Sequence, residues 1–137
     1  MEKILIIEDE QHLRENLEYL MTDEGYQVVT AKDGEEGMQW LAQEPFDLVI
    51  TDIMMGNVGG FAVLEYIVTH MFDTLVIFIT GFASTESTIA ALRQGVYDYI
   101  AKPFDIDTLL IAVKRALEKL RLQRELKTRA SKSGFDC

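Results

Sequence analysis

Five short runs of apolar, strand-forming residues alternate with stretches of helical spacing, and this alternation limits the fold more than any other feature of the sequence. The runs lie at residues 3–7, 26–31, 47–51, 75–80 and 97–101. Three of them are nearly continuous aliphatic residues, which is typical of strands buried on both faces of a parallel sheet. Strands that alternate with helices are connected by right-handed crossovers, so the pattern predicts a doubly wound α/β fold with helices on both faces of the sheet.

The length of the chain predicts a single domain. At 137 residues it can bury a sizeable core but is too short for two ordinary domains. The last predicted helix begins after Pro103 and carries leucines as far as Leu120. We therefore predict one domain over residues 1–120, and we assign residues 121–137 to a helical linker extension with a frayed end, as expected of a piece cut from a longer protein.

Charge is distributed unevenly along the chain, whose formal net charge is −10. Residues 1–113 hold 5 Lys and Arg against 20 Asp and Glu, whereas residues 114–132 hold 8 Lys and Arg against 2 Glu. The acidic part argues against a nucleic-acid-binding face and suits a hard cation. The basic segment is interpreted as a solvated helix face.

Cellular location is predicted from what the sequence lacks. No apolar run approaches the roughly 18 to 20 residues of a membrane span, and the first residues do not resemble a secretory signal. The single cysteine, Cys137, cannot form an internal disulfide. These features favour a reducing cytoplasm.

Reactive or charged side chains follow four of the five predicted strands. Glu8 and Asp9 follow the first strand, Asp52 the third, Thr80 the fourth and Lys102 the fifth. Each has an ordinary explanation when taken alone: a helix cap, a turn former, a strand end or a surface lysine. Because ligands of doubly wound sheets bind at the carboxyl ends of the strands, the combination predicts a site there.

The chemistry of these groups points to phosphoryl transfer assisted by a divalent cation. Three converging carboxylates repel one another unless a cation lies among them, and oxygen ligands of this kind suit Mg²⁺. A carboxylate such as Asp52 can attack phosphorus and become an aspartyl-phosphate. The Lys102 ammonium and the Thr80 hydroxyl would then contact the phosphoryl oxygens.

Four segments, "ILIIEDE", "DLVITDIMM", "VIFITG" and "DYIAKPF", together resemble the receiver domain of bacterial two-component response regulators. The resemblance covers about residues 3–120 in the correct order. It implies a flavodoxin-like (βα)5 fold whose five parallel strands have the order 2-1-3-4-5. It also implies a set of residue roles: Asp52 as phosphoacceptor, Glu8, Asp9, Asp52 and the backbone carbonyl of Met54 as Mg²⁺ ligands, Lys102 and Thr80 as catalytic groups, Thr80 and Tyr99 as switch residues, and a cis Lys102–Pro103 peptide.

The resemblance implies a signalling function rather than that of an enzyme acting on other molecules. A sensor histidine kinase or phosphotransfer protein would phosphorylate Asp52, and the chain would catalyse only its own phosphorylation and dephosphorylation. The face formed by the fourth helix, fifth strand and fifth helix would then change its preference for a downstream output domain. That face or the C-terminal helix could form a homodimer, and no direct contact with nucleic acid or membrane is expected. The run "GVYDYIAKPFDIDTLL" is similar to receivers of NtrC-type transcription activators.

The segment after Asp52 departs from the family pattern. Gly56 stands where the family usually has proline, and Gly59 stands where it usually has Asp. Because glycine increases the conformational freedom of the unfolded chain, we predict a loop that becomes ordered when Mg²⁺ or phosphate binds. Met54 and Phe82 are apolar and cannot orient a water molecule, which predicts a long-lived phosphoryl group.

Three other functions are consistent with parts of the sequence. A pseudo-receiver that binds partners without phosphorylation would lack a site residue, whereas all of them are present. A Mg²⁺-dependent phosphohydrolase would need an acid two residues after the nucleophile, where this chain has Met54. A flavodoxin-like cofactor binder would need a glycine-rich phosphate loop after the first strand.

Overall fold

In the computed structural model, which describes residues 1–55, 58–81 and 84–133, five parallel strands form one sheet. The strands are β1 (Lys3–Ile7), β2 (Gln27–Ala31), β3 (Leu48–Asp52), β4 (Leu75–Thr80) and β5 (Asp98–Ala101). Their order is β2-β1-β3-β4-β5. The predicted strand order is therefore confirmed, and each strand lies within one residue of its predicted bounds.

Helices cover both faces of this sheet, as the alternation predicts. They are α1 (Gln11–Asp23), α2 (Gly34–Gln43), α3 (Gly60–Thr69), α4 (Thr85–Gln94) and α5 (Ile106–Ser133). Helices α1 and α5 pack in one apolar cluster, and α2, α3 and α4 pack in the other. The two clusters divide the core into the two layers of a doubly wound fold.

The alternation of side chains along β1 shows why its apolar run is continuous. Ile4 and Ile6 belong to the cluster under α1 and α5, while Leu5 and Ile7 belong to the cluster under α2 to α4. All four side chains are fully buried. Because successive residues of a strand point to opposite faces, a strand covered on both sides has no position for a polar residue. Each such side chain contributes about 1.5–3 kcal/mol of burial free energy.

Helix α5 extends beyond the sheet that it covers. Leu109, Val113 and Leu117 pack in the core, and Leu120 is also buried. The helix continues to Ser133, so the segment assigned to a linker extension is helical as far as that residue. Residues 134–137 lie outside the described residues, and the domain boundary at residue 120 stays a prediction. In the parts of the chain that the structure describes, no helix combines the length and apolar content needed to cross a membrane.

Candidate functional site

Asp52, the last residue of β3, lies at the carboxyl edge of the sheet in a nearly closed environment. Only 7% of the residue is exposed. The backbone N–H of Met54 donates to Asp52 Oδ1 over 3.1 Å, and Lys102 Nζ donates to Oδ2 over 2.8 Å. The carboxylate is therefore held by one donor on each oxygen, which fixes its orientation at the strand end.

The acid pair after β1 meets Asp52 at this edge. Glu8 is fully buried, and its two carboxylate oxygens accept from Lys102 Nζ at 3.0 Å and from the Glu10 backbone N–H at 3.1 Å. Asp9 is exposed. Carboxylate oxygens of Glu8, Asp9 and Asp52 lie within 4.8 Å of one another. The predicted convergence of the three acids is thus observed.

The turn between β1 and α1 holds the acid pair in place through the start of the helix. Glu10 is the N-cap of α1, and its side chain accepts from the backbone N–H groups of His12 and Leu13 at 3.2 and 2.6 Å. Arg14 Nη1 donates to the Glu8 carbonyl oxygen over 2.9 Å. The sequence does not predict these roles of Glu10 and Arg14, because the usual N-cap residues are Ser, Thr, Asp and Asn.

Lys102 offsets part of the negative charge of the site. Burial alone would lower the pKa of the Lys102 ammonium, but its hydrogen bonds to Asp52 and Glu8, with the charges of both, raise the pKa overall. Burial raises the pKa of Glu8, and the Glu10 backbone N–H and Lys102 oppose that effect without cancelling it. A single ammonium among three carboxylates leaves an excess of negative charge, which favours an additional cation at this edge.

Thr80 and Tyr99 lie on β4 and β5, the two strands that follow β3 in the sheet. Thr80 ends β4 and is fully buried, and its carbonyl oxygen accepts from the Lys102 backbone N–H over 2.8 Å. Tyr99 on β5 is half-buried, and its hydroxyl lies 2.8 Å from Ser87 Oγ on α4. The Lys102–Pro103 peptide is cis, as the resemblance implies. Ser87 was not predicted from the sequence, because a serine in the first turn of a helix has no distinctive spacing.

The glycines at the end of the segment after β3 allow a close backbone approach. The Gly60 N–H donates to the Ile53 carbonyl oxygen over 2.9 Å. A Cβ added to Gly60 would lie 2.7 Å from the Asp52 carbonyl oxygen, and one added to Gly59 would contact the Ile53 carbonyl oxygen even more closely. The lack of room for a Cβ therefore explains why glycine occupies these two positions. Gly56 and Phe82, on which the loop and lifetime predictions depend, lie outside the described residues.

Comparison with known proteins identifies the family of this site. The family model for the response regulator receiver domain matches residues 4–114. The chain belongs to the response-regulator receiver family. It is therefore a receiver domain of two-component signalling, as its motifs suggested.

The relatives of this receiver are response regulators. It is 34% identical over 126 residues to the nitrogen assimilation regulatory protein NtrX of Azorhizobium caulinodans, covering 90% of this chain and 28% of that protein. It is 38% identical over 119 residues to the response regulator ArlR of Staphylococcus epidermidis, covering 87% of this chain and 54% of that protein. The crystal structure of NtrX from Brucella abortus in complex with ADP aligns with a TM-score of 0.88 and 32% identity, over 98% of this chain and 30% of that one. The chain thus spans about half or less of these relatives.

Proposed function

We propose that Asp52 is the phosphoacceptor of this receiver and that Lys102 assists the transfer of the phosphoryl group. The observation that supports this most directly is the Lys102 ammonium, which lies 2.8 Å from Asp52 Oδ2 and 3.0 Å from Glu8 Oε1. A cation at that position would neutralise charge on an oxygen of the phosphoryl group that is transferred to Asp52. Phosphoryl transfer depends on such neutralisation. Asp52 is also the carboxylate that stands centrally in the sheet, at the end of β3.

The transfer follows from the way in which Asp52 is held. An Asp52 carboxylate oxygen forms a bond to phosphorus while the P–N bond to the donor phosphohistidine breaks, and the bonding electron pair leaves with the imidazole nitrogen. A small donor such as acetyl phosphate loses a P–O bond instead. The Met54 N–H and Lys102 fix the carboxylate before the reaction, so little reorganisation is needed. The products are an aspartyl-phosphate and the released donor.

The donor set of the site fits Mg²⁺. Glu8, Asp9 and Asp52 offer only oxygen ligands within 4.8 Å of one another, and the exposed Asp9 gives access from solvent. We infer that these three side chains, with the Met54 backbone carbonyl, hold the ion. When bound, Mg²⁺ supplies positive charge to a phosphoryl oxygen and relieves the repulsion among the carboxylates.

Phosphorylation is proposed to act through Thr80 and Tyr99 on the face formed by α4, β5 and α5. A phosphoryl group adds charge and acceptor oxygens near the end of β4, where Thr80 lies. Exposed apolar side chains mark the face: Ile89 and Leu92 on α4 are 45% and 58% exposed, and Ile111 on α5 is 49% exposed. We propose that this face contacts an output domain or a second copy of the chain. The C-terminal helix α5 by itself is the other surface proposed for a homodimer.

The proposed role is that of a cytoplasmic transcription-regulating response regulator. The family supports a sensor histidine kinase or phosphotransfer protein as phosphodonor, and the regulatory names of the relatives support an output domain beyond the matched region. The receiver itself is proposed to catalyse only its own phosphorylation and dephosphorylation. Nucleic-acid contact is assigned to the output domain, because most of the receiver is acidic.

Incubation with acetyl phosphate and Mg²⁺, followed by intact mass spectrometry, tests the assignment. We expect a gain of one phosphoryl group that is lost with chelator and with Asp52→Asn. Asp33→Asn is the matched control, because Asp33 also follows a strand at this edge and asparagine retains its N-cap role on α2. No mass gain, or a gain that persists in Asp52→Asn, would contradict the proposal and favour a phosphorylation-independent module.

A further inference from the structure

The hydroxyl of Ser87 connects the first turn of α4 to Tyr99. Ser84 is the N-cap of α4: its Oγ accepts from the Ser87 backbone N–H over 3.1 Å, and its own backbone N–H donates to Ser87 Oγ over 3.2 Å. In such a capping box the second position is usually Glu or Gln, which offers only an acceptor or a fixed amide. A serine there brings a hydroxyl, which both donates and accepts. That hydroxyl also reaches the Tyr99 hydroxyl, 2.8 Å away.

The Ser87 hydroxyl has more partners than it can bond at one time. Four polar atoms lie within hydrogen-bonding distance of Ser87 Oγ: Ser84 N at 3.2 Å, Ser84 Oγ at 2.9 Å, Ser84 O at 3.2 Å and Tyr99 OH at 2.8 Å. A hydroxyl donates one bond and accepts two. The bond to Tyr99 therefore competes with one of the three bonds to Ser84. If Tyr99 leaves, the Ser87 hydroxyl can bond Ser84 alone, which strengthens the capping box already present at α4.

We propose that Ser87 is a positioning residue of the switch, which ties the position of the Tyr99 ring to the cap of α4. The proposal rests on the proposed function in one respect, namely that modification of Asp52 moves Tyr99. Ser87 stabilises the observed position of Tyr99, so the switch must break that bond. Once it breaks, the first turn of α4 tightens, and the displacement of Tyr99 reaches the helix that carries Ile89 and Leu92.

The competition for the Ser87 hydroxyl is tested first without any phosphoryl analogue. Tyr99→Phe removes the competing hydroxyl, so we expect the Ser84 and Ser87 amides to exchange with solvent about 2- to 10-fold more slowly, the range that one hydrogen bond supplies. Tyr97→Phe is the matched control, because Tyr97 is also half-buried and lies two residues away, immediately before the same strand. Equal exchange rates in the two variants would overturn the proposal.

The effect on the switch is tested by titrating Mg²⁺ with beryllofluoride, a phosphoryl analogue, while the Tyr99 ring is followed by NMR. Since Ser87 holds the unswitched position, Ser87→Ala should lower the beryllofluoride concentration at half response about 2- to 10-fold. The shift should vanish in a Tyr99→Phe background, where tyrosine-independent signals of α4 report the response. Thr88→Ala is the control for the cap alone, since Thr88 Oγ1 donates to the Ser84 carbonyl oxygen over 2.8 Å.

The outcomes separate this inference from the proposed function. A Ser87→Ala shift that persists in the Tyr99→Phe background would show that Ser87 acts only through the cap and would overturn the inference. Absence of any beryllofluoride response at Asp52 would instead contradict the proposed function. The amide exchange comparison of Tyr99→Phe with Tyr97→Phe would still decide whether the two hydroxyls are coupled.

Discussion

Gly60 is required because there is no space for a side chain at its position. Its missing side chain allows the backbone to pass the end of β3, where an added Cβ would lie 2.7 Å from the Asp52 carbonyl oxygen and 3.1 Å from Ile53 Cα. Backbone atoms cannot move aside as the end of a flexible side chain can. Alanine at this position would therefore displace the strand end that carries Asp52.

Gly60→Ala is expected to destabilise the receiver by about 1–3 kcal/mol, as overpacking against fixed atoms does. Urea unfolding measures the change in the free energy of unfolding. Gly81→Ala is the matched control, because an added Cβ at Gly81 meets no atom within 4 Å. Its effect should stay near zero or be slightly stabilising. Equal destabilisation of the two variants would refute the steric explanation.

The sequence predicted which residues gather at the site but not the contacts that orient them. Asp52, Glu8 and Lys102 could be placed together because parallel strands end at one edge. The Met54 N–H bond to Asp52 and the shared hydroxyl of Ser87 depend on backbone direction and on a contact between separate elements. Such contacts leave no periodic pattern in the residues involved, so coordinates were needed to find them.

Among the elements, α5 has a contact that its sequence-based interpretation did not include. The basic segment, residues 114–132, was expected to be a solvated helix face, and residues 121–129 are exposed, but Arg124 among them also binds the acidic body. Its guanidinium donates to both carboxylate oxygens of Asp73 at 2.9 and 3.0 Å and to Asp47 Oδ1 at 2.7 Å. Asp47 Oδ2 in turn accepts from the Lys3 backbone N–H over 2.7 Å. Three segments are thus joined to α5 at the edge of the sheet opposite Asp52.

Arg124→Ala should increase amide exchange in residues 121–128 of α5 by up to about 5-fold, a modest effect because the ion pair is partly exposed to solvent. Arg121→Ala, an exposed arginine one turn earlier, is the control and should change exchange little. Similar exchange in the two variants would show that Arg124 does not hold the helix. Hydrogen exchange with mass spectrometry resolves this segment.

The ion pair between Arg124 and Asp73 makes the stability of α5 depend on pH. The hydrogen bond from Arg124 is the largest of the effects that lower the pKa of Asp73. A carboxyl whose pKa is lowered on folding contributes stability above its unfolded value of about 3.9 and loses it as pH falls through the lower folded value. Exchange in wild-type α5, corrected for its intrinsic rate, should therefore approach that of Arg124→Ala below about pH 4. A difference that stays constant down to pH 2 would contradict this linkage.

The overall arrangement followed from the sequence because it depends on repeated patterns. Strand order, the two helical layers and the edge that carries the site result from alternating β and α segments, whose connections have a fixed handedness. A helical extension beyond residue 120 was also predicted, but the residue at which α5 ends was not, since its apolar spacing ends near Leu120 while the helix continues to Ser133. Ion pairs and helix propensity stabilise a helix that has no apolar stripe. They leave a less regular pattern in the sequence than apolar spacing does.

The three converging carboxylates are expected to lower the stability of the receiver in the absence of a cation, and Glu8 is the residue at which this effect can be measured. Glu8 is fully buried, and burial, which penalises its charged form, raises its pKa. Glutamine has nearly the same shape without the charge, and Lys102 would keep its bond to Asp52. Without Mg²⁺ at pH 7, Glu8→Gln is therefore expected to raise the free energy of unfolding by about 1 kcal/mol.

Addition of Mg²⁺ should reverse the order of stability. Binding to the folded state alone stabilises by RT ln(1 + [L]/Kd), about 2.7 kcal/mol at 100 times Kd, and this gain needs the full set of acids. The wild type should then be the more stable protein, while Glu8→Gln gains little. Thermal unfolding with and without Mg²⁺ measures both effects, with Glu65→Gln, an exposed acid on α3, as the control. If Glu8→Gln were destabilised without Mg²⁺, Glu8 would serve mainly as an ion-pair partner of Lys102; a gain from Mg²⁺ equal to that of the wild type would remove it from the metal site.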